Sequence, residues 1–332
     1  MFRPIARVTR ALPWLLACAV TVALLQAQAG QLDRPAMLAA VDVIARTVAD
    51  EYFDADVGDK AAAHIRGFAA TTTERLQTPN ELAASVTRQL YAVTHDKHLA
   101  VMVTHVSGAN AQPSSSENRA RRARAENFGV REVSILEGNI GYLDLRSFYR
   151  IDEARDTIAA AMQLLGHAEA LIIDLRNNSG GSPETVALLA GYLFDRPGMP
   201  LFEIVPRSGD ATHYATPSPG VEPRNGTRPV FALTSARTFS AGEGIAFILQ
   251  QEKRAIVVGE RTPGAANPGR SYPAGPLFEV VVPNGQVRTG VSGHNWEGTG
   301  VTPDVPVASA DALETARELA VKQLNSPNAG PR

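Results

Sequence analysis

Between Asp33 and about Leu99 the apolar residues recur at helical spacing: Met37, Val41, Ile44 and Val48 in one run, Leu82, Val86, Leu90 and Val93 in another. Each set falls on one face of a helix, so the pattern predicts a small helical subdomain. Asn80, just ahead of Glu81 and the second run, reads as a helix start. That helix leads into His95-Asp-Lys-His98 and then a strand-like Leu99-Ala-Val-Met-Val103. Residues 107–126 are small and polar with no apolar period that could bury a face, and read as a linker or mobile loop. Beyond them the pattern changes to short strands alternating with helices. Val130 to Leu136 and Ile140 to Leu145, separated by Glu137-Gly-Asn139, predict a hairpin. A helix from about Asp152 to Leu165, a strand Ala170 to Leu175 and a helix through Tyr192 follow. Strand Val230 to Leu233, a helix after Ser240 and strand Ala255 to Val258 repeat the alternation. The implied architecture is an α/β core over 127–324, with active groups at strand ends, behind a helical subdomain over 30–106. Residues 325–332, polar with Pro327 and Pro331, read as a disordered tail.

The first thirty residues stand apart. Arg3, Arg7 and Arg10 precede an apolar run from Ala11 to Leu25, and Ala27-Gln28-Ala29 closes it. A basic start, a short hydrophobic stretch and a small-residue exit describe a secretory signal peptide over 1–29, so the mature chain is expected in the periplasm or outside the cell. The run contains Pro13 and is shorter than the roughly 20 residues a membrane span needs. The single cysteine, Cys18, would leave with this segment, so no disulfide or thiol chemistry is expected. Leu15-Leu16-Ala17-Cys18 faintly resembles a lipoprotein cleavage site, the one alternative route to a membrane. A formal charge of −2, with 20% charged residues, gives no field that would draw the chain to nucleic acid. The basic cluster Arg119 to Arg124 reads as solvated. Oligomeric state is left open.

Two turns carry candidate chemistry. In Phe231 to Ile245 a buried strand breaks at a small polar turn and restarts as a helix, which lifts Ser240 onto a helix N-terminus where amides and dipole favour developing negative charge. The same pattern also suits a plain N-cap serine. In Arg176-Asn-Asn-Ser-Gly-Gly181 the glycines allow close approach of backbone amides to a bound group, or simply a tight strand-to-helix connection. No Gly-Lys-Ser/Thr follows, so a P-loop is unsupported.

Leu171 to Gly181, Thr234 to Glu243, Val257 to Gly264 and Trp296-Glu-Gly-Thr-Gly-Val-Thr-Pro-Asp-Val305 occur in the order found in the tail-specific, or C-terminal processing, serine protease family. Asn127 to Val130 and Gly138 to Leu143 further resemble the branch containing the interphotoreceptor retinoid-binding protein repeats and the tricorn protease core. The resemblance covers most of the mature chain. It implies a layered β-β-α spiral core of crotonase or Clp-protease type, with a peptide or protein as substrate and neither metal nor cofactor. Family members with a Ser-Lys dyad carry the lysine in the turn after Val-Gly-Glu, where this chain has Ala265. Lys253 reads as a surface charge, and the short stretch 107–126 leaves no room for a PDZ module. The tricorn-like branch uses Ser, His and Glu, and the matching residues are Ser240 as nucleophile, His98 as base and Glu297 as the orienting carboxylate. The amides of Ala241 and of Gly180 or Gly181 would hold the oxyanion. Where that branch has a serine before the histidine, this chain has Lys97.

The plainer readings are these. His95 and His98 could pair on a metal, but no third nearby ligand supports it. His294 is the alternative base. Glu243 reads as a favourable first-turn charge and Asp174 with Arg176 as a structural ion pair. The rival function is a non-catalytic carrier of retinoid or fatty-acid type ligands, with Phe148, Tyr149, Phe202 and Phe278 lining its pocket, although aromatics at this density usually form core.

Overall fold

A computed structural model describes residues 32–72, 78–104, 116–217, 222, 226–290 and 293–326. The signal-peptide reading of 1–29, and the tail from Pro327 onward, lie outside the described residues.

Helix α1 (Arg34–Glu51) begins where the Asp33 carboxylate accepts the Ala36 N–H at 2.8 Å, with a proline in the first turn. Its buried stripe is Met37, Val41, Ile44 and Val48, the spacing read from the sequence. Helix α2 (Ala55–Thr72) packs against it. Helix α3 (Pro79–Thr94) starts two residues earlier than Asn80 suggested. Thr78 is the cap: Glu81 N–H donates to its hydroxyl, and its own N–H donates back to the Glu81 carboxylate.

This helical unit completes its core with chain from far along the sequence. Strand β1 (Ala100–Val103) pairs antiparallel with β10 (Phe278–Pro283), which pairs in turn with β9 (Gly269–Pro273). Phe278, Val280 and Val282 of β10 are buried among Ile44, Ile65, Leu82 and Leu90. The subdomain read as 30–106 therefore has a wall supplied by 269–283. The linker reading of 107–126 also needs correction, because Ser116–Ala125 forms helix α4. Its composition gave no apolar stripe to detect, and it is held partly by the Arg122–Glu126 ion pair at 2.8 Å.

The larger body is built on a six-stranded sheet. Its strands are β2 (Val130–Leu136), β3 (Ile140–Leu145), β4 (Ala170–Asp174), β7 (Val230–Thr234), β8 (Ile256–Gly259) and β12 (Val305–Pro306). They lie in the order β12-β8-β7-β4-β3-β2, with β2 antiparallel to β3 and the rest parallel. Leu143, Leu171, Ile173, Ala232 and Val257 point to a face covered by α5 (Ile151–Leu164), α6 (Pro183–Leu193) and α7 (Ala241–Gln251). Ile140, Ile172, Phe231, Leu233 and Val258 point to the other face, against Ala312, Ala316 and Ala320 of α8 (Ala312–Leu324). Because both faces are covered, the central strands read as unbroken apolar runs and were visible in the sequence.

A second small sheet, ordered β11-β5-β6, comprises β5 (Pro200–Pro206), β6 (Thr212–Ala215) and β11 (Gly285–Thr289). These strands and α8 had no clear sequence signal. The strands are short and half exposed, and the buried stripe of α8 is only alanine.

Candidate active site

The Ser240 side of the site is assembled by two turns that hydrogen-bond each other. After β7, the Ser235 N–H donates to Thr238 Oγ1 at 2.9 Å, and that hydroxyl donates to Leu175 O at 2.8 Å. The Phe239 N–H donates to Asn178 O at 2.9 Å, which ties the serine turn to the glycine turn. Ser240 is held at φ 53°, ψ −120°, a conformation that costs a non-glycine residue on the order of 1–3 kcal/mol and persists only where the surroundings impose it.

Gly180 lies against this serine at φ +90°, where an added Cβ would sit 2.7 Å from Ser240 Cβ. Gly181, at φ +134°, would drive a Cβ to 2.0 Å from Phe148 O. Glycine is required at both places for close approach. The two amides differ. Gly180 N–H donates to Asn178 Oδ1 at 2.8 Å and is already committed, which corrects its candidacy as an oxyanion donor. The amides of Gly181 and Ala241 have no hydrogen-bond partner among the described residues, and both residues line the pocket that contains Ser240.

Glu243 is more than a first-turn charge. It is fully buried and accepts four hydrogen bonds: from Ser240 N at 2.9 Å, Thr262 Oγ1 at 2.6 Å, Gly264 N at 2.6 Å and Ala265 N at 3.0 Å. Burial raises its pKa, opposed by those donors. The carboxylate thus fastens the serine turn to loop 262–267. Ala265, where a dyad lysine would stand, is buried in that loop and its carbonyl accepts from Trp296 Nε1 at 2.9 Å.

The His98 side comes from the helical unit. Helix α3 ends at His95, which adopts φ 55° and sits edge-on to Tyr91. Asp96 then accepts the His98 N–H at 2.9 Å and turns the chain. This places His98 Nε2 3.0 Å from Ser240 Oγ, with the ring 5.0 Å from that of Phe239. Burial lowers the His98 pKa to about 4, leaving the imidazole neutral near pH 7.

Two carboxylates flank the ring. Asp96 Oδ1 lies 3.9 Å from His98 Nδ1, and Asp96 Oδ2 accepts from Asn267 Nδ2 at 3.0 Å and from Tyr52 Oη at 3.5 Å. Glu297 Oε2 accepts the N–H groups of Ala266 at 2.6 Å and Asn267 at 3.1 Å. Ligating atoms of Asp96, His98 and Glu297 all lie within 4.8 Å of one another. His98 Nδ1 and Glu297 Oε1 are buried without a hydrogen-bond partner among the described residues. Burial first, and the Asp96 charge second, raise the Glu297 pKa to about 7.

Ser240, His98 and Glu297 are therefore brought together. His95 is not part of the cluster, Lys97 points to Pro263 O, and the imidazole that meets Ser240 is that of His98 rather than His294. Asp174 and Arg176 form the expected ion pair at 2.6 Å, which Tyr142 Oη joins through Asp174 at 2.7 Å. Sequence reasoning missed Asp96, Glu243 as a hub, Asn178 and Asn267. The Ser240-Ala-Gly-Glu243 spacing, that of a capping box, was the available signal for Glu243.

Beside Ser240 opens an apolar pocket of about 410 Å³ of empty space including its mouth, walled mainly by Val186, Phe202, Ile204, Ile248, Val287 and Trp296. Of the aromatics suggested for a ligand cavity only Phe202 lines it. Phe148 and Phe278 are buried in two separate cores, and Tyr149 stacks edge-on with Phe128. Among the described residues no helix is long and apolar enough to cross a membrane.

The chain is similar to several known proteins. The C-terminal processing peptidase of the Tetradesmus obliquus chloroplast is 29% identical over 200 residues, which span 58% of this chain and 40% of that protein. The tricorn protease superposes over 88% of this chain and 37% of its own with a TM-score of 0.58 at 14% identity. A lipoprotein from Streptococcus agalactiae superposes over 86% and 96% of the two chains with a TM-score of 0.56 at 16% identity. The model of the N-terminal domain of peptidase S41 in eukaryotic IRBP matches residues 21–128. Because the model of peptidase family S41 matches residues 139–307, half of the chain and all of the turns that build the serine side, the chain belongs to peptidase family S41, a family of serine peptidases.

Proposed function

We propose that the protein is an exported serine peptidase that hydrolyses peptide bonds through an acyl-enzyme, with Ser240, His98 and Glu297 as its catalytic residues. The observation that carries this reading is the 3.0 Å approach of His98 Nε2 to Ser240 Oγ beside two unengaged amides. A neutral serine hydroxyl is a weak nucleophile until a base takes its proton, and the buried imidazole is unprotonated near pH 7 and within reach. As Ser240 Oγ attacks the scissile carbonyl carbon, its proton passes to His98 Nε2. The carbonyl oxygen gains charge in front of the Gly181 and Ala241 amides and the N-terminus of α7. Collapse of the tetrahedral intermediate breaks the C–N bond, and the imidazolium returns the proton to the departing amine. Water then repeats the sequence on the acyl-enzyme. Glu297, when ionised, offsets the transient charge on His98. The apolar pocket beside Ser240 selects a substrate with an apolar side chain next to the cleaved bond. By analogy with the algal processing peptidase, that bond lies near a C-terminus.

Ser240→Ala is expected to abolish both covalent labelling by a serine-directed phosphonate and cleavage of peptides with apolar residues. Retention of both would refute the assignment.

A further inference from the structure

The base side of the site holds two carboxylates, and one of their oxygens, Glu297 Oε1, has no hydrogen-bond partner among the described residues. Asp96 is 1% exposed, and no lysine or arginine pairs with it or with Glu297 among the described residues. Three side-chain atoms in this region are left over. His98 Nδ1, Glu297 Oε1 and Asn267 Oδ1 are all buried and without a partner among the described residues. Asn267 is 3% exposed and belongs to this same cluster, since its Nδ2 donates to Asp96 and its backbone N–H to Glu297. Native interiors seldom leave such atoms unpartnered unless something else satisfies them. Two carboxylates, one imidazole nitrogen and an amide oxygen form a donor set for a divalent cation, and the imidazole favours a zinc-like ion over magnesium or calcium.

We propose that Asp96, His98 Nδ1 and Glu297, with Asn267 Oδ1 beside them, form a binding site for a zinc-class divalent cation that reversibly switches off the nucleophile. One ligating atom from each of Asp96, His98 and Glu297 lies within 4.8 Å of the others. A tetrahedral zinc with bonds of about 2.0–2.1 Å needs these atoms near 3.3 Å apart, so binding requires the carboxylates to close on His98 Nδ1 by up to about 1.5 Å. The consequence follows from tautomerism. A cation on Nδ1 forces the neutral ring to carry its proton on Nε2, so Nε2 donates to Ser240 Oγ and no longer accepts from it. The hydroxyl then has no base. Removal of the ion frees Nδ1 to carry the proton and Nε2 to accept one. Binding of the ion is independent of peptide cleavage, whereas the inhibition rests on the peptidase reading above.

The test is a calorimetric titration of zinc chloride into the Ser240→Ala chain, which cannot turn over. One ion per chain, bound at micromolar concentration or tighter, released by EDTA and not displaced by magnesium, is expected. Glu297→Gln and Asp96→Asn in that background should each weaken binding by at least about tenfold. Glu297→Gln keeps the bonds from Ala266 and Asn267 and is the variant expected to stay folded, as a thermal melt will verify. No saturation at millimolar zinc, or undiminished binding in both folded variants, overturns the site. In the wild type, zinc should slow phosphonate labelling of Ser240 with the midpoint of the titration, and EDTA should restore it. Zinc binding by Ser240→Ala with a wild type that is never labelled would keep the cation site and sink the nucleophile. A labelled, active wild type whose Ser240→Ala form binds no zinc would do the reverse.

Discussion

The two halves of the site are built on opposite principles. Around Ser240 nearly every polar group is engaged: Asn178 holds Gly180, Glu243 gathers four donors, and Thr238 fastens the turn to Leu175. Among the described residues the Gly181 and Ala241 amides beside the serine have no hydrogen-bond partner, and these are the donors proposed for a substrate oxygen. Around His98 the pattern is reversed, with a buried carboxylate, Asp96, near a half-buried one, Glu297, and unpartnered atoms on His98, Asn267 and Glu297. The serine side is rigid because its backbone strain needs an over-determined frame. The imidazole side is tunable because its charge balance is incomplete, so protons or a cation decide its state.

The strongest way to break this contrast is Glu243→Ala. Four donors lose a buried acceptor at once, and unfolding stability should fall by about 3–5 kcal/mol in denaturant melts. Phosphonate labelling should be lost with it. If labelling survives, the serine turn does not depend on this frame. Gly180→Ala comes next. Its Cβ would meet Ser240 Cβ at 2.7 Å in a left-handed conformation, so labelling should slow by about 100-fold through misplacement of the nucleophile.

Glu297→Gln sharpens the other half, measured in EDTA. The folded pKa of about 7 is above the ordinary carboxylate value, so the protonated form favours the fold. Its contribution is present below the unfolded pKa and disappears as pH rises through about 7. At pH 8 the glutamine variant should therefore be more stable than wild type, by on the order of 2–3 kcal/mol, with the difference vanishing near pH 4. Its kcat/KM should fall and lose the rise through about pH 7 that ionisation of Glu297 gives the wild type. A more active or less stable variant at pH 8 would contradict the picture. The smallest effect belongs to Tyr52→Phe, since its hydroxyl reaches Asp96 only at 3.5 Å. A change of about 0.5 kcal/mol or less is expected.

The same division separates what could be read from the chain from what could not. Strands β2, β3, β4, β7 and β8 and helices α1, α3, α5, α6 and α7 announce themselves through apolar runs or a helical period, because their buried faces are continuous in sequence. Ser240, His98 and Glu297, the residues proposed as catalytic, were singled out by ordered motifs and lie close together in the structure. Helix α4, the alanine-faced α8 and the short strands β5, β6, β9, β10 and β11 were not legible, since α4 and α8 carry no large apolar stripe and β10 and β11 find partners far away in sequence, in β1 and β5.

The sequence by itself determined the α/β alternation, the serine on its strand-turn-helix and membership of a motif-bearing family, all of which depend on local spacing. Only the tertiary structure decided that Gly180 is spent on Asn178, that Glu243 is a buried hub, and that Asp96 joins Glu297 beside His98. Those outcomes depend on which groups from separate segments meet in a medium without water. There each donor and charge must find its partner through space, and no period along the chain records that choice.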